Sequence, residues 1–303
     1  MTATEQPTAG LQALSNGMAD AVASIGAALV MVEGRPRQAA SGVVYAEGLV
    51  LTADHVLERE EDIKIQTHDG QVLAAQFVGR DPASDLAVLR VAGLSSAPAQ
   101  TASGEARVGQ LALAVGRPSA EGVQASLGVV SAIGGPVRVG KGAMLERYLR
   151  TDATPYPGFS GGPLVDISGA VLGITTTGLA RGVTMAIPAA IAWRVADTLA
   201  HQGKIKRGFL GISSQPVHIP AAQRAGRQEE EGLLIMRVED GAPAQQGGML
   251  LGDILVALDN HPVQDPDDLQ ALLTGERVGQ AVPVMVLRGG VLQTLQVTIA
   301  ERS

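Results

Sequence analysis

Tyr156-Pro157-Gly158-Phe159-Ser160-Gly161-Gly162-Pro163-Leu164 sets one serine among glycines, with a proline on each side and an apolar run beyond. Glycine tolerates φ > 0, so this loop can take a turn that a Cβ would block. It can also hold a hydroxyl beside free backbone N–H groups. A serine nucleophile needs both: exposure on a rigid loop, and donors waiting where the oxyanion forms. A glycine-rich hairpin loop with an incidental serine would look the same in isolation. The decision therefore rests on partners elsewhere in the chain.

A serine needs a base, and the base needs an orienting carboxylate. The chain has five histidines: His55, His68, His201, His218 and His261. His55 lies in Leu49-Val50-Leu51-Thr52-Ala53-Asp54-His55-Val56-Leu57, which reads as a buried strand running into a short polar turn. Downstream, Asp81-Pro82-Ala83-Ser84-Asp85-Leu86-Ala87-Val88-Leu89-Arg90 places an aspartate at the start of an apolar strand. The order is then His55, Asp85, Ser160, which is the order of chymotrypsin-type double barrels; other triad folds use other orders. His68, in a Asp-Gly turn, reads as a solvated turn residue.

Thr52-Ala53-Asp54-His55-Val56, Ser84 to Arg90, and Pro157 to Leu164 resemble the three catalytic segments of the HtrA/DegP family of serine proteases. Further matches are Ser126 to Ala132, Tyr148 to Ala153 and Ala186-Ile187-Pro188. The resemblance runs from about residue 18 to the end. It implies a mainly β protein: a chymotrypsin-like double six-stranded antiparallel β-barrel followed by an α+β PDZ domain.

Composition agrees. With 303 residues there is room for two domains of ordinary size. Hydrophobic content is 46% but aromatics only 2%, so the cores rest on Val, Leu, Ile and Ala. Thirty-eight glycines and sixteen prolines suit a turn-rich β protein. A net charge of −7 argues against a nucleic-acid partner, which calls for a basic stripe. The absence of cysteine excludes disulfides, thiolate metal sites and cysteine catalysis. The scattered histidines suggest no metal site, and no cofactor is expected.

The expected organisation is a flexible N-terminal tail over 1–17, a protease domain over 18–203, a basic linker over 204–207 and a PDZ domain over 208–303. In the protease part, short strands alternate with turn signals. Pro188 to Gly203 reads as a helix with Ile191, Val195 and Leu199 on one face. In the last hundred residues, Asp267 to Leu273 reads as a helix opened by a capping aspartate, and Arg224 to Glu231 as a solvated insertion. The N-terminus shows no secretory signal and no membrane span, so the sequence as written favours the cytoplasm, or an extracytoplasmic site if this is a processed form.

By the resemblance, the oxyanion hole uses the backbone N–H groups of Gly158 and Ser160. The primary specificity pocket involves Thr154 and Ile174-Thr175-Thr176, none of them acidic, which disfavours a basic residue at the cleaved position. The PDZ unit binds C-terminal peptides by strand addition through Phe209, Leu210, Gly211 and Ile212, with Leu269 and Leu273 shaping a side-chain pocket. The chain departs from the family loop at Tyr156 and Phe159, where asparagines are usual, and at Pro155. Phe159 is expected either to line the cleft or to hold the loop in a resting state. Short spacing from Glu33 to Ser41 leaves no room for a long regulatory insertion. The implied function is a serine endopeptidase for unfolded or misfolded proteins. The alternative is a weakly active homologue acting as a peptide-binding chaperone or scaffold. Family members are commonly trimers held by aromatic residues near the N-terminus; with none in the first forty residues here, a homotrimer would use Leu11, Leu14 and Met18.

Overall fold

The computed structural model describes residues 6–138, 144–179, 182–273 and 277–301. The chain divides into two compact units, Met1–Lys204 and Ile205–Ser303. The expected linker is thus split: Lys204 bridges Arg80 in the first unit.

The first unit opens with a helix, α1 (Gln6–Gly26), where a flexible tail was expected over 1–17. The segment Leu11 to Met18 carries no proline or β-branched residue, but Asn16 and Gly17 are weak helix formers, so the helix depends on its anchored end. The anchor is Ala21 and Ile25, both buried, while Leu11 and Leu14 stay exposed. Residues 1–5 of the expected tail lie outside the described residues.

Six strands follow: β1 (Leu29–Glu33), β2 (Ala40–Ala46), β3 (Leu49–Ala53), β4 (Ile63–Gln66), β5 (Val72–Asp81) and β6 (Leu86–Val91). They close into an antiparallel barrel in the order β1-β2-β3-β6-β5-β4. Val30, Val32, Val44, Val50, Ile65 and Leu89 fill it. Next come β7 (Leu111–Ser119), β8 (Gly122–Gly134), the small pair β9 (Val137–Arg138) and β10 (Met144–Leu145), then β11 (Tyr148–Thr151), β12 (Pro163–Val165), β13 (Val171–Thr176) and β14 (Thr184–Pro188). Six of these form a second closed barrel, β11-β14-β13-β12-β7-β8. β-Branched and aliphatic residues fit such half-buried pleated surfaces, and closure leaves no sheet edge.

Helix α2 (Ala189–Gln202) ends on Gly203 in the left-handed region, as expected. Its buried face is Ala189, Ala192, Ala196 and Leu199, rotated from the Ile191–Val195–Leu199 stripe read in the sequence. Small alanines bring the helix close to the barrels. Tyr45 reaches it twice: its hydroxyl donates to the Ala196 carbonyl (3.3 Å), and its ring meets Trp193 edge-on at 6.1 Å.

The second unit holds β15 (Gly208–Phe209), β16 (Ile212–His218), β17 (Glu231–Val238), α3 (Pro243–Gln246), β18 (Ile254–Leu258), β19 (His261–Pro262), α4 (Pro266–Leu272), β20 (Ala281–Arg288), β21 (Val291–Thr298) and β22 (Ala300–Glu301). The main sheet runs β16-β17-β18-β20-β21, with β19 beside β18 and β15 paired to β22. Asp265 caps α4, its Oδ1 accepting the Asp268 N–H at 2.8 Å, and Pro266 takes the first helical position. The stretch from Arg224 to Glu231 is tied down rather than simply solvated. Arg224 pairs with Glu230 and donates to the Ile219 carbonyl, Arg227 pairs with Glu229, and Glu231 already belongs to β17. Asp253, 1% exposed, is held by Arg288 through two hydrogen bonds of 2.8 Å.

Candidate active site

Strand register brings the base and the carboxylate together. In the β3–β6 ladder Ala53 lies opposite Leu86. His55 follows β3 by one turn, and Asp85 immediately precedes β6. The Asp54 N–H donates to the Asp85 carbonyl (3.0 Å) and closes the ladder. Asp85 sits at φ +55°, a left-handed conformation that aspartate tolerates better than most residues. That turn aims its carboxylate back at His55.

The buried Asp85 carboxylate accepts from every side. Its Oδ1 takes the His55 backbone N–H at 2.9 Å, its Oδ2 faces His55 Nδ1 at 2.7 Å, and the Thr176 hydroxyl also donates to Oδ2. A carboxylate only accepts, so in the neutral ring Nδ1 carries the proton and Nε2 keeps its lone pair. His55 is otherwise exposed, which leaves Nε2 available for proton transfer.

Ser160 arrives from the second barrel. Phe159 N–H donates to the Tyr156 carbonyl at 3.0 Å, closing a four-residue turn with Pro157 second and Gly158 third. Gly158 has φ +90°. Proline followed by a left-handed glycine is the signature of a type II turn. A Cβ on Gly158 would also stand 2.5 Å from the Pro118 side chain. Sequence reading found the glycine but not the contact that enforces it.

Ser41, on β2 and fully buried, clamps this loop. Its hydroxyl donates to the Gly158 carbonyl at 2.7 Å and accepts the Arg117 N–H at 2.8 Å. Its own N–H donates to the Ser160 carbonyl at 3.2 Å, and its carbonyl accepts the Thr52 hydroxyl at 2.7 Å. Ser41 was read only as a strand residue. A serine flanked by apolar strand positions was the available signal, since buried hydroxyls require partners.

Phe159 is 0% exposed and packs with Ala112, Ala114, Leu149 and Leu164 in the core of the second barrel. It does not line a cleft. Tyr156 is exposed and meets the Phe159 ring edge-on, centroids 5.4 Å apart. The Ser160 Oγ, 7% exposed as a residue, hydrogen-bonds the Thr177 hydroxyl at 3.1 Å.

Of the expected pocket residues, Thr154 is exposed, and its carbonyl accepts the Ser126 hydroxyl at 2.6 Å. Ile174, Thr175 and Thr176 turn their side chains inward. Ile174 is core, Thr175 donates to the Gly162 carbonyl and Thr176 to Asp85. In a strand every side chain has one place to go, and these three are committed to the core, the serine loop and the Asp85 carboxylate. They offer a cleft only their backbone.

In the second unit Leu210, Leu269 and Leu273 are buried in one core, with Ile212 packed against it. Phe209 is half-buried on β15. Gly211 takes φ +75° between them, and a Cβ there would collide with Ala242. The Leu210 and Gly211 carbonyls accept the Ala244 and Glu239 N–H groups, both at 2.8 Å, which fixes the loop that leads into edge strand β16.

Comparison with known proteins agrees with this geometry. Residues 40–174 match the family described as trypsin-like peptidase domain, and residues 208–299 match PDZ domain. A probable periplasmic serine endoprotease DegP-like from Brucella suis biovar 1 (strain 1330) is 34% identical over 275 residues, 88% of this chain and 53% of that protein. The chain thus spans about half the length of the curated relatives it matches. Among solved structures, the HtrA-type protease AlgW with tripeptide is 30% identical with a TM-score of 0.80, covering 94% of this chain and 97% of that one. The serine endoprotease from Yersinia pestis is 29% identical with a TM-score of 0.78, covering 94% and 98%.

Proposed function

Since the chain belongs to the HtrA/DegP-like family of serine proteases, with a trypsin-like peptidase domain and a PDZ domain, we propose that it is a serine endopeptidase of unfolded or misfolded proteins. The observation that carries this is the His55–Asp85 pair, Nδ1 to Oδ2 at 2.7 Å, together with a serine that directly follows a type II turn.

The chemistry follows from the atoms. His55 Nε2 takes the Ser160 proton as Oγ attacks a peptide carbonyl, then returns it to the leaving amine. Asp85 holds the tautomer and stabilises the imidazolium. The oxyanion meets the backbone N–H groups of Gly158 and Ser160. One such donor is worth roughly 3–4 kcal/mol in a comparable mechanism, so the Ser41 clamp on the loop counts alongside the triad. Thr154 and the Ile174–Thr176 backbone bound the primary pocket. With no acidic side chain among them, a small or medium aliphatic residue is the preferred one at the cleaved position.

The PDZ unit receives a C-terminal carboxylate at the backbone of Leu210, Gly211 and Ile212, and the peptide adds beside β16. AlgW structures contain a tripeptide or a decapeptide, which supports a peptide ligand here. Periplasmic relatives favour an extracytoplasmic site of action. The exposed Leu11 and Leu14 of α1 supply an aliphatic seam for a homotrimer.

Casein turnover by the chain and by Ser160→Ala tests the proposal, each with and without a peptide ending in an apolar residue. Cleavage that vanishes in the variant and rises with peptide is the expected result. Absence of cleavage in every condition would replace it with a peptide-binding chaperone or scaffold.

A further inference from the structure

Three consecutive residues at the end of β13 each touch a different member of the triad. The β12–β13 ladder pairs Leu164 with Gly173 and Pro163 with Ile174. Gly161 N–H to the Thr175 carbonyl (2.9 Å) and Thr175 N–H to the Gly162 carbonyl (2.8 Å) carry that register past the strand end. Continued, it sets Ser160 opposite Thr177. The Thr176 hydroxyl donates to Asp85, and the Thr177 hydroxyl hydrogen-bonds Ser160 Oγ at 3.1 Å. Gly178 lies against the base: a Cβ there would stand 2.6 Å from His55 Nδ1 and 2.8 Å from Asp85 Oδ2.

These contacts differ in freedom. Thr176 is buried, and its hydroxyl is also the acceptor of the Gly178 N–H at 3.0 Å. Thr177 is exposed, so burial does not hold its hydroxyl in place. The serine hydroxyl has one proton and rotates to suit its neighbours. Among the described residues its hydrogen-bond partner is Thr177 and not the His55 ring.

We propose that Thr177 is a positioning residue that holds the Ser160 hydroxyl in a resting orientation, off the His55 ring, until substrate lies along residues 176–178. The inference rests on the protease reading. A nucleophile that is competent for only part of the time reacts in proportion to that fraction. Substrate backbone laid against the exposed Thr177 and Gly178 competes for the Thr177 hydroxyl and frees Oγ to turn to Nε2. The base and the carboxylate need no such release, because their contacts are already those of the working site.

The test is labelling of the full chain by a fluorophosphonate, with kinact and KI resolved, in wild type, Thr177→Val, Thr177→Ser and Ser160→Ala. Valine keeps the shape and removes the hydroxyl at an exposed position. We expect kinact to rise roughly two- to tenfold in Thr177→Val, the range one neutral hydrogen bond spans. KI stays unchanged, Thr177→Ser behaves as wild type, and Tm is the same in all. An equal or lower kinact in Thr177→Val overturns the inference alone, as does a change confined to KI. Absence of Ser160-dependent labelling in every chain removes the protease reading and this inference with it.

Discussion

The first barrel holds His55 and Asp85 by strand register; the second holds Ser160 by its own ladder and turn, with Ser41 reaching over from the first. On one side, the Ala53–Leu86 pairing and the Asp54–Asp85 bond leave the base and carboxylate little choice. On the other, the serine loop has its type II turn, a buried Phe159 and the Ser41 clamp, and its hydroxyl still engages an exposed threonine. Ladder hydrogen bonds come with the fold. The serine loop adds side-chain contacts to its ladder bonds, and side chains can be exchanged.

Substitutions can break this contrast. Asp85→Asn attacks the rigid half and should have the largest effect. It puts an N–H where acceptors are required, favours the wrong His55 tautomer, and should cut kcat by on the order of 10⁴. A steady-state assay showing less than a tenfold loss would mean that register alone positions His55. Phe159→Ala attacks the loop from beneath. It opens a cavity in the second barrel and should cost about 3–5 kcal/mol by urea unfolding. A cost under ~1 kcal/mol would show that the loop does not depend on that core.

Ser41→Ala is gentler. It leaves the Gly158 carbonyl and the Arg117 N–H without their partner, a loss of about 1–3 kcal/mol. Catalysis should fall roughly 10–100-fold in kcat with KM steady, because the oxyanion donors lose their fixed geometry. Unchanged kcat would place the loop's rigidity entirely in the turn.

Tyr45 sharpens the comparison from the rigid side, away from the triad. Burial, with a smaller contribution from Asp197, pushes its phenol up to about 12. The folded state keeps that proton longer than the unfolded state does. The neutral phenol therefore contributes fully below pH ~10 and its contribution is lost as pH rises toward 12. Wild type should lose about 2 kcal/mol more than Tyr45→Phe across that window in chemical unfolding. Parallel curves would show that Tyr45 ionises freely.

The proposed triad residues were legible because each sits in a short pattern with its own local cause: strand then polar turn for His55, aspartate before an apolar run for Asp85, glycines around Ser160. Short strands and turns left barrels and sandwiches both open, and the family resemblance selected the two six-stranded barrels. What escaped was set by tertiary packing. Phe159 looked available to a cleft, yet its neighbours in the second barrel take it wholly inside. Thr176 looked like a pocket wall, yet its hydroxyl serves Asp85. The face of α2 was misjudged because alanines, weak in any hydrophobicity pattern, pack closest. Residues 6–17 looked like a tail because nothing local signals the docking of Ala21 and Ile25 that anchors α1.

Strand β16 bears on how much of a ligand this protein can measure. It forms the edge of its sheet, and an edge presents unpaired main-chain groups as a template for a further strand. Pro216 lies within it, and proline has no N–H to offer. The template therefore runs only from Ile212 to Gln215 before its donor row is interrupted. It is a short ruler that begins just after the fixed Gly211 loop. A peptide strand added there would be matched over a few residues, and the rest of it, however long, would go unmeasured.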